Sequence, residues 1–442
     1  MKFPHLTQTS LFKALSPLGA SVETPKGIFY WASRAKQQAE IDGTIGVAQD
    51  DDGTISHLPV AAAWVGEKVT ARAPKGKVFG YAPIPGIESL RTKWLARMTR
   101  ECPQLVQHAS LPVVTNGITH SIALASRMLL STGDVLVTAD KSWENYEHIF
   151  TGIQGLKVVT FPLFHGHGEL HLDGMIGTCR EVAQHHKKVV LLLNFPHNQT
   201  GFMPTKEQAQ AMGHRLEELA KSMPEVNFVI ILDDAYEGYV YDGKGVRGSI
   251  LPYVFNTLPN FSLVKLDGIS KVMLAYGYRV GFITYFVNAL DGKIFDEAGL
   301  KGMRDDLTTK IGGLVRGEIS QVNHHGQIMA DALMDDLATV EKQCGDVIAM
   351  LGERWEIMME ELEKGYAKYG TEKMWADPCN GGFFCFVNCG AGIDPMKIAD
   401  RLLVEKKVGI VPCAQGLRVA FAGVAKAKVP RMIQSIFEVM YS

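Results

Sequence analysis

Three short apolar runs in this chain each end in a polar cluster, and that repetition narrows the fold to a sheet buried on both faces. Val189-Val190-Leu191-Leu192-Leu193 ends in Asn194 and continues through Phe195-Pro196 into His197-Asn198-Gln199-Thr200-Gly201. Phe228-Val229-Ile230-Ile231-Leu232 ends in Asp233-Asp234-Ala235-Tyr236. Leu263-Val264-Lys265-Leu266 leads into Ser270-Lys271. An apolar run without alternation reads as a strand covered on both faces, the habit of parallel α/β sheets. Such sheets carry ligands just past the carboxyl ends of their strands.

Lys271 lies in an apolar setting, Ser270-Lys271-Val272-Met273-Leu274-Ala275-Tyr276-Gly277-Tyr278-Arg279-Val280-Gly281. A lysine out of water is costly unless it is paired or chemically used. Desolvation lowers its pKa and lets its amine form a Schiff base with an aldehyde. An arginine in the same segment offers a fixed fork for a phosphate. Together they point to pyridoxal phosphate. The plainer reading is a strand with a snorkelling lysine and a surface arginine.

The remaining composition sets the frame. A chain of 442 residues predicts two or three lobes. We read residues 1–59 as an N-terminal arm with part of a small domain, 60–328 as a large domain of alternating strands and helices, and 329–442 as the C-terminal small domain. The stretch from Gln327 to Tyr369 has helical periodicity, at Ile348, Leu351, Trp355, Met358 and Leu362. Beyond it we expect strands at 381–387 and 417–422 and helices at 396–406 and 429–441. A net charge of −2 argues against nucleic acid or a membrane surface as a partner held by bulk charge. No apolar run approaches the ~20 residues of a membrane span. Met1-Lys2-Phe3-Pro4-His5-Leu6 lacks the pattern of a secretory signal. The seven cysteines show no disulfide or Cys-x-x-Cys metal spacing, and His165, His167 and His171 read as solvated, so no metal is expected. A reducing cytoplasm fits these features.

Taken in order, these segments resemble the fold type I pyridoxal-phosphate aminotransferases, and within them the aspartate aminotransferase-like class I/II group. The resemblance runs from about Gly46 to Arg418. It implies an α/β three-layer sandwich with a mainly parallel sheet, plus a smaller α+β domain built from both chain ends. It implies pyridoxal 5'-phosphate as cofactor, with pyridoxamine 5'-phosphate as its intermediate form, and a homodimer with shared active sites. Lys271 matches the Schiff-base lysine and proton shuttle of a ping-pong transamination between an L-amino acid and a 2-oxo acid. Asp233, in Asp-x-Ala-Tyr, matches the carboxylate beside the pyridine nitrogen, whereas Asp234, next along the strand, faces the other way. A turn-capping aspartate is the bland alternative.

The resemblance carries further residues. Asn198 and Tyr236 match contacts to the ring's phenolic oxygen, and Trp143 matches the aromatic stacked on the ring, or else a core tryptophan. Gly117, Ile118 and Thr119 open a helix pattern where an anion meets free N–H groups, with Arg279 and Ser270 as phosphate partners; an ordinary helix cap is the alternative. Tyr81, in Tyr-x-Pro-x-x-Gly, matches a tyrosine that reaches the neighbouring subunit's phosphate, or else a surface turn. Arg418 and Gly46 match the α-carboxylate site, which Asn198 and Trp143 also border; an edge-strand arginine is the alternative. Arg316, four before Ser320, stands as the distal-carboxylate arginine does, which would make aspartate the donor; an aromatic amino acid is the other expectation. The chain departs from the pattern in having Gln199 for proline, Ile118 for serine or threonine, Gly268 for serine, and no Asn-Pro-Pro after Ser320. A β-eliminating lyase on the same fold shares the lysine, aspartate and arginine. An amino-acid-sensing regulator would carry a DNA-binding domain, and the arm here is short and not basic.

Overall fold

The computed structural model describes residues 8–22, 27–73, 76–166, 168–291 and 293–442. Met1 to Leu6, read above for a leader, and His167 lie outside the described residues. Seven strands form the large sheet: β1 Val113–Thr115, β2 Val135–Ala139, β3 Lys157–Phe161, β4 Lys188–Asn194, β5 Asn227–Asp233, β6 Phe261–Gly268 and β7 Gly281–Phe286. Their spatial order is β1-β7-β6-β5-β4-β2-β3. β7 runs antiparallel to both its neighbours, and the other pairs are parallel.

The uninterrupted apolar runs explain this placement. Along β4, β5 and β6, Val190, Leu192, Val229, Ile231, Val264 and Leu266 join one core cluster. Their neighbours Val189, Leu191, Leu193, Phe228, Ile230, Leu232 and Leu263 join another. Successive side chains point to opposite faces, so these strands need helices on both sides. The register sets Asn194 of β4 opposite Asp233 of β5, and Asp233 opposite Leu266 of β6. Three polar strand ends thus converge on one edge of the sheet.

A four-stranded antiparallel sheet forms the second unit: β8 Met374–Ala376, β9 Cys385–Cys389, β10 Val411–Cys413 and β11 Gly416–Val419, in the order β8-β9-β11-β10. Both chain ends build it. Ile41–Asp42 pairs in parallel with Val408–Gly409, and Trp31 and Ile41 share a core with Val408 and Phe437. Buried Arg354 ties the ends together, donating to the Ala422 carbonyl at 2.8 Å and to Asp51 Oδ1 at 2.9 Å.

Several element bounds differ from the sequence reading. The sheet begins only at Val113; residues between Pro59 and His108 supply helices. The stretch read as one long helix is two, His324–Asp335 and Leu337–Tyr369, parted where Asp336 leaves helical geometry at ψ 46°. The strand expected at 381–387 starts at Cys385, and that at 417–422 stops at Val419. The helix expected at 396–406 runs Pro395–Arg401 and widens into a π turn, Leu402–Lys406. The final helix, Val429–Tyr441, lies where its amphipathic pattern puts it. Among the described residues no helix is long and apolar enough to cross a membrane.

Candidate active site

A chamber of about 440 Å³ opens where β4, β5 and β6 end. Lys271 faces it from a one-turn helix, Ile269–Val272, that follows β6 directly. The lysine main chain is anchored by Tyr239, whose hydroxyl donates to the Lys271 carbonyl at 2.8 Å. Its Nζ lies 5.2 Å from the Tyr236 ring centroid. Loss of water lowers the Lys271 pKa, opposed by the Asp233 carboxylate and assisted by the Arg279 guanidinium.

Asp233 is buried in the same chamber. Burial pushes its carboxyl up, while hydrogen bonds from Tyr146 and from the Ala235 N–H, and the positive charge of Lys271, pull it down. The Tyr146 hydroxyl donates to Oδ2, and the Ala235 N–H reaches Oδ1 at 3.1 Å. Asp234 turns to the other side, as its strand position predicts, and pairs with buried Lys265. Asn198 and Tyr236 meet, with Asn198 Nδ2 donating to the Tyr236 hydroxyl at 3.2 Å. Asn198 Oδ1 is buried without a partner among the described residues.

The glycine turn and Arg279 also come together. Gly117, at φ +79°, is the N-cap of helix α1, Ile118–Leu129. A Cβ on Gly117 would fall 2.3 Å from Arg279 Nη2, so the guanidinium lies against the helix start. Free N–H groups and a guanidinium at one helix N-terminus make an anion seat, and Ile118 and Thr119 line the chamber there. Arg279 itself holds φ +54°, a conformation few side chains adopt. The missing serine at Gly268 has a steric cause: a Cβ there would lie 2.8 Å from the Val280 carbonyl, just before β7. Ser270 is buried but does not line the chamber.

Arg418 enters from the small domain on β11, between β9 and β10 and not on an edge. It is 2 % exposed, sits 4.4 Å from the Phe384 ring centroid, and donates from Nη2 to the Thr44 carbonyl at 3.2 Å. Its Nε has no hydrogen-bond partner among the described residues. Gly46 and Trp143 complete the wall. Tyr81 is 87 % exposed and does not line this chamber. Arg316, exposed and bonded to Ser320, likewise stands outside.

A partly desolvated amine, a buried carboxylate, an anion seat and an underused guanidinium around one chamber fit pyridoxal phosphate and an amino-acid carboxylate. The family model for aminotransferase class I and II matches residues 45–436. The chain belongs to this family. Class I and II aminotransferases depend on pyridoxal phosphate. Mitochondrial aspartate aminotransferase of Saccharomyces cerevisiae is 23% identical over 353 residues, covering 75% of this aminotransferase and 76% of the relative. A solved aminotransferase from Anaerococcus prevotii superposes with a TM-score of 0.81 at 21% identity, over 97% of this chain and 99% of that one. An aromatic-amino-acid aminotransferase from Burkholderia pseudomallei, solved covalently bound to pyridoxal phosphate, superposes with a TM-score of 0.71 at 18% identity, over 96% and 100%.

The structure adds residues that sequence reasoning missed. Tyr146 holds Asp233, and its spacing three beyond Trp143 was the available signal, since i and i+3 share a helix face. Asn194 links two site residues, donating to the Asp233 carbonyl at 2.7 Å and accepting from the Asn198 N–H at 2.7 Å. Ile28 and Phe29, from the N-terminal helix Gly27–Gln38, close one wall with Glu144.

Beside Asn198, His197 is buried with Nδ1 3.1 Å from Thr200 Oγ1. Burial, then the positive charge of Lys141, lowers its pKa from 6.5 to about 3. Between those values the unfolded chain binds the extra proton, so stability rises with pH across that window and is lost as pH falls through it. His197→Gln should flatten this part of the stability curve by a few kcal/mol, read from urea melts at about pH 7 and about pH 4. An unchanged slope would contradict the assignment.

Proposed function

We propose that this aminotransferase binds pyridoxal phosphate in the Lys271 chamber and moves the amino group of an L-amino acid to a 2-oxo acid in two half-reactions. One observation carries the reading: Lys271, Asp233 and Arg418 face the same chamber from two different domains. Bound there, the cofactor supplies an aldehyde for the amine and a ring that accepts electron density from the substrate Cα. Lys271 would hold the cofactor through its amine and, with that amine free, would move the proton at the substrate Cα. Asp233 would keep the ring nitrogen protonated, and Tyr146 and the Ala235 N–H fix the carboxylate for that task. Asn198 and Tyr236 would hold the phenolic oxygen by hydrogen bonds. The start of α1, with Thr119 and Arg279, would hold the phosphate, and Trp143 would hold the ring. Arg418 takes the α-carboxylate, its fork oriented by the Thr44 carbonyl.

The exposure of Tyr81 supports a homodimer in which this side chain completes the neighbouring subunit's phosphate seat. Aspartate, the donor named for the yeast relative, needs a second cation for its side-chain carboxylate. Arg316 does not stand in its own subunit's chamber, which leaves the choice of donor side chain to the remaining walls. The reading is tested by mixing the loaded enzyme with an amino acid alone and counting products per site.

A further inference from the structure

A second chamber, of about 530 Å³, adjoins the first and shares Ile28, Trp143, Glu144 and Arg418 with it. Arg418 therefore stands where the two meet, deeply buried and with hydrogen-bonding capacity left at Nε. An amino acid held there by its α-carboxylate, with Cα toward Lys271, can extend its side chain into the second chamber. The walls of that chamber carry more acidic than basic side chains. Asp140, Glu144, Glu147 and Asp394 line it, and its cation other than Arg418 is Lys141. Lys141 is already engaged by Asp377 at 2.6 Å and Asn388 at 2.8 Å. Asp140 and Asp394 accept backbone N–H groups from Leu163 and Met396. Glu144 accepts the Ile28 N–H through Oε1 at 3.3 Å and rests Oε2 against Gly27, where a Cβ would fall 2.0 Å away, so its carboxylate is fixed on the wall that both chambers share. Glu147 stands exposed at the rim.

A side-chain carboxylate entering here meets four like charges and no uncommitted cation among the described residues. A guanidinium or ammonium meets acceptors that suit it. Phe386, Met396 and Val411 supply apolar surface for the methylene stem of such a side chain. We propose that the second chamber is the side-chain site of the amino donor and that the donor is cationic, of arginine or lysine length, with Glu144 as its main reader and Glu147 at the rim. The proposal rests on the aminotransferase reading and narrows its substrate class.

The test compares the loaded enzyme on L-arginine and L-citrulline, which match in length and differ in side-chain charge, with L-alanine as a reference lacking a long side chain. Arginine should exceed citrulline in kcat/KM by about tenfold or more. The double substitution Glu144→Gln with Glu147→Gln should bring that ratio toward one. Calorimetric titration should show the desamino analogue of arginine binding more tightly than pentanoate, and neither compound has an amino group to transfer. Equal values for arginine and citrulline, or aspartate preferred to arginine, would overturn the proposal; turnover of alanine in the same experiment would leave transamination standing. A binding preference for the guanidinium with no 2-oxo acid from any donor would keep the cationic site and remove the aminotransferase reading. Neither preference nor product would remove both.

Discussion

Replacing Lys271 by alanine is expected to abolish measurable turnover while leaving the fold intact. General acid–base transfer alone accounts for about 10²–10⁴-fold in rate, and this lysine is also assigned the covalent hold on the cofactor. The fold survives because the segment is fixed through its main chain, by the Tyr239 hydroxyl on the Lys271 carbonyl and by β6 directly before it. Removing a desolvated amine also removes a group whose charged form the site disfavours. The same depression sets a pH dependence. Below its lowered pKa the lysine is protonated and cannot attack an aldehyde; above it the amine is free. Cofactor loading should therefore rise with pH and level off below the 10.5 of an ordinary lysine. Steady-state rates and urea melts of the variant check the first expectation. Normal turnover would end the assignment of Lys271.

The second large effect is expected from Asp233→Asn. The amide keeps the shape of the side chain and loses the negative charge that holds a proton on the ring nitrogen. A preorganised charge at a site of developing charge is worth about 10²–10³-fold in kcat. Stability should hold or improve, because burial already disfavours the ionised carboxyl. A variant that is folded, binds the cofactor and loses kcat by this factor fits the account. A variant with wild-type kcat would show that Asp233 only caps the turn after β5.

The parts of the site that the sequence made legible share a cause. Lys271, Asp233, Tyr236 and Asn198 follow apolar runs, and a strand buried on both faces announces its own carboxyl end. Arg418 was legible through the order of motifs, although its central place in the small sheet was not. Asn194 was overlooked because its role depends on strand register, which sets it opposite Asp233. Tyr146 and Glu144 depend on how the segment after Trp143 folds over the sheet, and Ile28 and Phe29 on a helix distant in sequence. The break at Asp336 was hidden because apolar periodicity continues across it through Met334, Leu337 and Val340. Gln199, flagged as a departure from the family pattern, donates from Nε2 to the Ser142 carbonyl at 3.2 Å and lines the second chamber.

The most direct test of the central claim is a single-turnover titration of the loaded enzyme with an amino acid in the absence of any 2-oxo acid. The account predicts that the absorbance of the bound cofactor changes once, that one 2-oxo acid is released per site, and that no ammonia appears. Continuous release of pyruvate and ammonia, with the original absorbance retained, would contradict it and identify a β-eliminating lyase.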